Sequence, residues 1–207
     1  MSNTKHNELD WSPVSRLFQK RLSFYNSLDE LGFKEWLFHP AMLFGSCGKW
    51  WGDLSKRNRP HEGLDLCVYR TEKGDTRYLE ANTKVPVIFE GQVVRIGDDF
   101  LGQSVFVSHG AHGNDGSRLH TIYAHIKPDG RIHRGERLSE GDIIGTIADA
   151  RRSGGVVPPH LHVSVAWISN TVCSQELDWQ IVADLGGVVL LDPLRVIDCP
   201  YSIVARI

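Results

Sequence analysis

The first apolar positions of the chain recur at helical spacing. Val14, Leu17, Phe18, Tyr25, Leu28 and Leu31 fall on one stripe. Ser12 suits an N-cap, Pro13 a first helical position and Gly32 a stop, so a helix is expected over residues 13 to 31. From about residue 41 the texture changes to short alternating runs. These predict strands at Leu64–Leu66, Val85–Ile96, Gln103–Ser108, Leu119–Ile126, Ile143–Ile147 and Leu161–Val165. Gly91, Gly102, Gly135, Gly141 and Gly145 punctuate them as turns. A later helix is expected over Ser174–Leu185, and the polar loop Gly110–Arg118 should project from the sheet. The pattern describes one mainly β domain with a helical extension in front.

Composition narrows the partners. The 207 residues are 41% hydrophobic and 23% charged, enough to bury a sizeable core. Basic and acidic residues number 23 and 25, a net charge of −2, so nucleic acid is not an expected partner. The apolar stretch Trp36–Gly45 is broken by His39 and Pro40, and a spanning helix needs about 20 apolar residues, so no membrane span is expected. Lys5, Asp10, Arg16, Lys20 and Arg21 leave no apolar run for a cleavable signal. Read literally, this is a cytoplasmic chain; a trimmed start or non-standard export would make it periplasmic or extracellular. Cys47, Cys67, Cys173 and Cys199 form no C-x-x-C pair and are expected as free, buried thiols.

Three segments carry candidate chemistry. In Arg59-Pro-His61-Glu-Gly63-Leu-Asp65-Leu66, strand alternation would put His61, Gly63 and Asp65 on one face. His160 and His162 flank Leu161, so both imidazoles share a face with Ser164 while Leu161, Val163 and Val165 turn into the core. In Ile122-Tyr123-Ala124-His125, Tyr123 and His125 would share a face. Two histidines and a carboxylate are a common shell for catalytic zinc, which lowers the pKa of bound water to about 7. Each segment alone also has an ordinary structural explanation, such as a surface histidine or a capping aspartate.

In this order the segments resemble the lysostaphin-type or LytM-type zinc metalloendopeptidases, which hydrolyse peptidoglycan. The elements are His61-x-x-x-Asp65, Tyr123-x-His125, the glycine-turn run Gly135 to Gly145 and Pro159-His160-x-His162, with Asp192-Pro193-Leu194 as an ending. The resemblance spans residues 41 to 197 and leaves 1 to 40 as a helical extension and 198 to 207 as a tail. It implies a compact antiparallel β-sandwich or barrel-like domain, the duplicated hybrid motif. It implies that His61, Asp65 and His162 bind Zn2+. His125 and His160 would flank the metal-activated water, one as general base and the other stabilising the oxyanion. The implied substrate is a stem or cross-bridge peptide of peptidoglycan, or a related short peptide.

The chain departs from that family at two places. Arg151-Arg152-Ser153-Gly154-Gly155-Val156-Val157 replaces a loop usually rich in glycine, serine and threonine, and Asn170–Leu190 is longer than the family requires. Lys56-Arg57-Asn58-Arg59 and Arg151-Arg152 would border one groove and attract an acidic peptide. Trp50 and Trp51 are expected to pack beneath the site, and His109, His112, His120 and His133 to be polar surface or loop residues. Two alternatives share the fold: a non-catalytic cell-wall-binding or regulatory module, and a phosphotransfer domain with His125 and His160 as acceptors. The second gives His61 and Asp65 no role.

Overall fold

A computed structural model of the chain describes residues 13–149, 156–184 and 186–207. Ser12, Arg151, Arg152 and Leu185 lie outside them, and with them the expected N-cap and the second basic pair. The described chain is mainly β. Its larger sheet has the order β12 (Val188–Leu191), β11 (Leu161–Ile168), β8 (Arg118–Pro128), β7 (Gln103–His112), β6 (Gly91–Asp98), β9 (Arg137–Leu138). β2 (Leu64–Leu66) pairs with β11, and β10 (Ile143–Ile147) pairs with both β8 and β5 (Lys84–Pro86). All these pairs are antiparallel. The smaller sheet has the order β13 (Tyr201–Ile203), β1 (Phe33–Phe38), β3 (Val68–Thr71), β4 (Thr76–Tyr78). Neither sheet closes into a barrel.

β11 is buried along its whole length because both its faces are covered. Leu161, Val163, Val165 and Trp167 join the main core with Tyr123, Trp36 and Phe38. Ala166 and Ile168 join a second cluster with Phe106, Ile122, Leu177 and Val182, the last from the short helix α2 (Trp179–Asp184). The alternation read from the sequence thus fits the strand, although neither face meets water.

The first helix, α1, is only Leu17–Tyr25. Ser15 Oγ accepts the Phe18 N–H at 3.1 Å and opens it. Phe18 and Leu22 are fully buried, each stabilising by roughly 1.5–3 kcal/mol. Gln19 Oε1 accepts the Trp36 indole N–H at 2.6 Å. Val14, Leu17 and Leu31, assigned to the buried stripe, are exposed. The helix stops before Gly32 because Asn26 binds the Lys84 backbone in both directions, at 2.8 and 2.9 Å. The expected extension and tail also contain strand. β1 pairs antiparallel with β3 and in parallel with β13, so residues assigned to the two ends of the chain lie side by side.

Other boundaries moved for identifiable reasons. The run Val85–Ile96 breaks between β5 and β6, where Val87 N–H donates to Asp142 O and Ile88 N–H to Tyr123 Oη. Strands β7 and β8 extend into the expected loop, leaving its tip at Gly113–Ser117. All four cysteines are free, but Cys47 and Cys173 are exposed rather than buried.

Candidate metal centre and groove

β2 and β11 set the centre of the site. Their register places Asp65 opposite His162 and Leu64 opposite Val163, so the carboxylate and the imidazole share a face. His61 arrives differently. The strand begins only at Leu64, so alternation does not reach it. Its backbone is pinned instead: His61 N–H donates to Ser46 O and Gly45 N–H to His61 O, both at 2.9 Å. Gly63 allows the turn between them, since a Cβ there would lie 2.2 Å from Val163 O and 2.8 Å from His162 Nε2.

Three donor atoms converge. His61 Nε2 is 3.1 Å from Asp65 Oδ1 and 3.0 Å from His162 Nδ1, which is 2.9 Å from Asp65 Oδ1. Leu43 O lies 3.1 Å from His61 Nδ1 and can only accept, so His61 carries its proton on Nδ1 and turns a lone pair inward. Ser164 Oγ, 2.9 Å from His162 Nε2, can take that ring's proton and leave a lone pair on Nδ1. Burial pushes the His162 pKa down to about 3. Asp65 is held as a carboxylate by the Trp50 indole N–H and the Arg57 guanidinium, 2.7 and 3.4 Å from its Oδ2. Inward-facing lone pairs on buried rings, with an ionised oxygen, match a cation's donor set. Their spacing is close to the roughly 3.3 Å between ligand atoms around a tetrahedral zinc. Among the described residues, His61, Asp65 and His162 form the cluster able to hold a metal ion.

The other Asp65 oxygen is tied back. Oδ2 accepts the Trp50 indole N–H at 2.7 Å and lies 3.4 Å from Arg57 Nη2. Trp50 therefore does more than pack beneath the site, as the sequence suggested. Arg57 also donates to Gly48 O at 3.0 Å and covers the Trp51 ring at 4.5 Å, so it faces inward. Arg59 pairs with Asp184 at 3.3 Å. The expected basic rim is in this part already engaged within the molecule.

His160 and His125 stand beside the trio. Their rings are 4.8 Å apart, and His160 Nε2 is 3.8 Å from Asp65 Oδ1. His160 donates from Nδ1 to Pro158 O at 2.9 Å, and burial lowers its pKa to about 4. His125 reaches this face by a bulge. Gln103 pairs with Ile126 and Val105 with Tyr123, so β8 spends one more residue than β7 there. His125 has φ +62° at that point. Tyr123 and His125 therefore do not share a face: Tyr123 is fully buried in the main core, and His125 lines the groove. The groove is a cavity of about 270 Å³ lined by both histidines, Trp51, Glu62, Phe100 and Trp179. Phe100 packs edge-on against His125 and Trp179 against His162, with centroids at 4.7 and 5.2 Å.

Sequence reading missed Asp99, Trp179, Trp50's bond to Asp65 and Ser164's to His162. Asp99 lies 3.1 Å from His125 Nδ1. In the sequence its spacing to Gly102 signals only a turn. His109 and His120 are buried rather than on the surface, bonded to Thr121 Oγ1 and Arg118 O. His112 and His133 are exposed as expected.

The profile described as Peptidase family M23 matches residues 70–174, which include His125, His160 and His162. No curated protein matches the chain. Among solved structures it is similar to CbpA from L. salivarius REN, at 20% identity over 75% of this chain and 83% of that one, TM-score 0.46. It is similar to a variant of the catalytic domain of the prophage-encoded M23 protein EnpA from Enterococcus faecalis, at 19% identity over 63% and 84%, TM-score 0.39. It is also similar to lysostaphin, at 20% identity over 65% of this chain and 51% of that one, TM-score 0.40.

Proposed function

The chain belongs to peptidase family M23, and we propose that it is a zinc-dependent endopeptidase acting on the stem or cross-bridge peptides of peptidoglycan. One juxtaposition supports this reading: three inward-facing donor atoms from distant segments within 3.1 Å of one another, with His125 and His160 beside them on the same cavity. Zinc held by His61 Nε2, Asp65 Oδ1 and His162 Nδ1 would supply Lewis-acid polarisation of a carbonyl and a lowered pKa for water. The chain's own residues do the rest. Trp50 and Arg57 hold Asp65 so that Oδ1 faces the other two donors. His125 and His160 present ring nitrogens to the scissile peptide, one to move the proton and one to stabilise the developing oxyanion. Phe100, Trp51 and Trp179 line the groove on either side of these rings. On this reading the protein works at the cell wall, in the periplasm or outside the cell.

A binding or regulatory module of the same fold would have no use for this donor set. The test begins with metal content after zinc loading and dialysis. About one zinc per chain is expected, lost in His162→Ala. Digestion of peptidoglycan should then release new amino groups, and His160→Ala should keep the metal and stop the release. Tight binding to sacculi without release would favour the module.

A further inference from the structure

Asp99 occupies the tip of the β6–β7 hairpin, where it closes the turn: Oδ1 accepts the Leu101 N–H at 2.9 Å and the Gly102 N–H at 2.7 Å. Its other contacts exceed what a turn needs. Oδ2 accepts the His125 backbone N–H at 2.9 Å and the Ser104 hydroxyl at 2.8 Å. The Trp179 indole donates to Ser104 Oγ at 2.9 Å, which commits the serine's own proton to Asp99. With His125 Nδ1 at 3.1 Å from Oδ1, five polar groups converge on one carboxylate. The other four are all donors, and three are backbone N–H groups that cannot reverse. Only an ionised, acceptor-only group meets such a set. Burial raises the Asp99 pKa, but the His125 contacts and the other donors outweigh it and hold the carboxyl well below its usual range.

We infer that Asp99 is a positioning residue: it fixes His125 as the Nδ1–H tautomer, with Nε2 on the groove, and makes His125 rather than His160 the group that carries the proton. This rests on the peptidase reading and assigns the roles within it. His125 Nε2 has no partner among the described residues and lines the cavity. When water adds to the scissile carbonyl, its proton passes to Nε2 and the new imidazolium faces a carboxylate through Nδ1–H. The same proton then passes to the amine nitrogen as the C–N bond breaks, and His125 returns to neutral. An imidazolium on His160 would have only the neutral Pro158 carbonyl within hydrogen-bond distance, at 2.9 Å, since Asp65 Oδ1 lies 3.8 Å away and is committed to the proposed metal. A buried positive charge is better stabilised by the carboxylate. His160 is left to bind and orient the substrate's oxygen. The path Trp179–Ser104–Asp99–His125 also links this positioning to α2, within the segment longer than the family requires.

The test uses the full chain loaded with zinc. Long-range nitrogen–proton correlation spectra, assigned with His125→Gln, report the tautomer directly. The expected signature is a protonated Nδ1 in the parent protein. Asp99→Asn retains an acceptor for the turn while withdrawing the charge. It should lower kcat about 100-fold or more, with KM within about threefold and zinc content unchanged. A protonated Nε2 in the parent, or an Asp99→Asn variant with kcat within about threefold, would overturn the inference. The tautomer measurement needs neither a substrate nor an Asp99 variant that folds. An Nδ1–H His125 in a zinc-loaded chain that cleaves nothing would support the positioning and sink the peptidase reading instead.

Discussion

The Trp50 indole N–H meets Asp65 Oδ2 at 2.7 Å, leaving the other carboxylate oxygen aimed at His61 and His162. The bond selects which oxygen the centre offers. Trp50→Phe keeps most of the packing and removes the donor. Zinc affinity should fall about tenfold, read by competition with a chromophoric chelator. Equal affinity in the two proteins would mean that Arg57 alone suffices.

Metal should also act as a staple. His61 and Asp65 lie before and on β2, and His162 lies on β11, so a bound ion joins segments about a hundred residues apart. Stripping zinc with a chelator should lower Tm by roughly 5–10 °C, about 2–4 kcal/mol at the expected saturation. His162→Ala should start low and show no response to the chelator.

Gly63→Ala tests the closeness of β2 and β11. Its Cβ would meet Val163 O at 2.2 Å and Ser164 Oγ at 2.7 Å, and the first of these is backbone that cannot swing aside. A loss of about 2 kcal/mol or more is expected in urea unfolding, with weakened zinc binding. A variant as stable as its parent would show that the two strands can separate at that point.

Acid should destabilise the fold through two histidines outside the groove. Burial lowers His109 and His120 from 6.5 to about 4. The unfolded chain therefore binds protons that the folded one refuses. Stability is full above pH 6.5 and falls as pH drops from 6.5 towards 4, by up to about 3 kcal/mol for each histidine. Urea unfolding of His109→Gln should show a shallower loss between pH 7 and pH 5. A slope equal to the parent's would assign the acid sensitivity elsewhere.

How much of this could be read in advance varied with the local physics. His160 and His162 were legible because β11 alternates strictly, and Asp65 because its neighbours Leu64 and Leu66 mark a strand. His61 was named by a strand alternation that in fact begins only at Leu64; it reaches the site through backbone bonds to Gly45 and Ser46, which no periodicity announces. Asp99 was hidden by its own turn chemistry. β1 was overlooked because it lies in the stretch read as a helical extension, and β13 because it is three residues long and gains its partner from the far end of the chain. The end of α1 was misplaced because Asn26 commits its side chain to β5, a tertiary contact that overrides helical spacing.

The bulge at Ala124–His125 has a consequence for how the site is encoded. β8 carries its imidazole to the groove by an odd count of residues against β7. Inserting one residue between Gln103 and Val105 would restore regular pairing and turn the ring toward the Tyr123 side, into apolar surroundings. All five residues of the proposed machinery would still be present in the gene product, and the groove would have lost one. The information that builds this site is kept partly as arithmetic, in how many residues separate its parts, and a substitution scan that never changes length would not detect it.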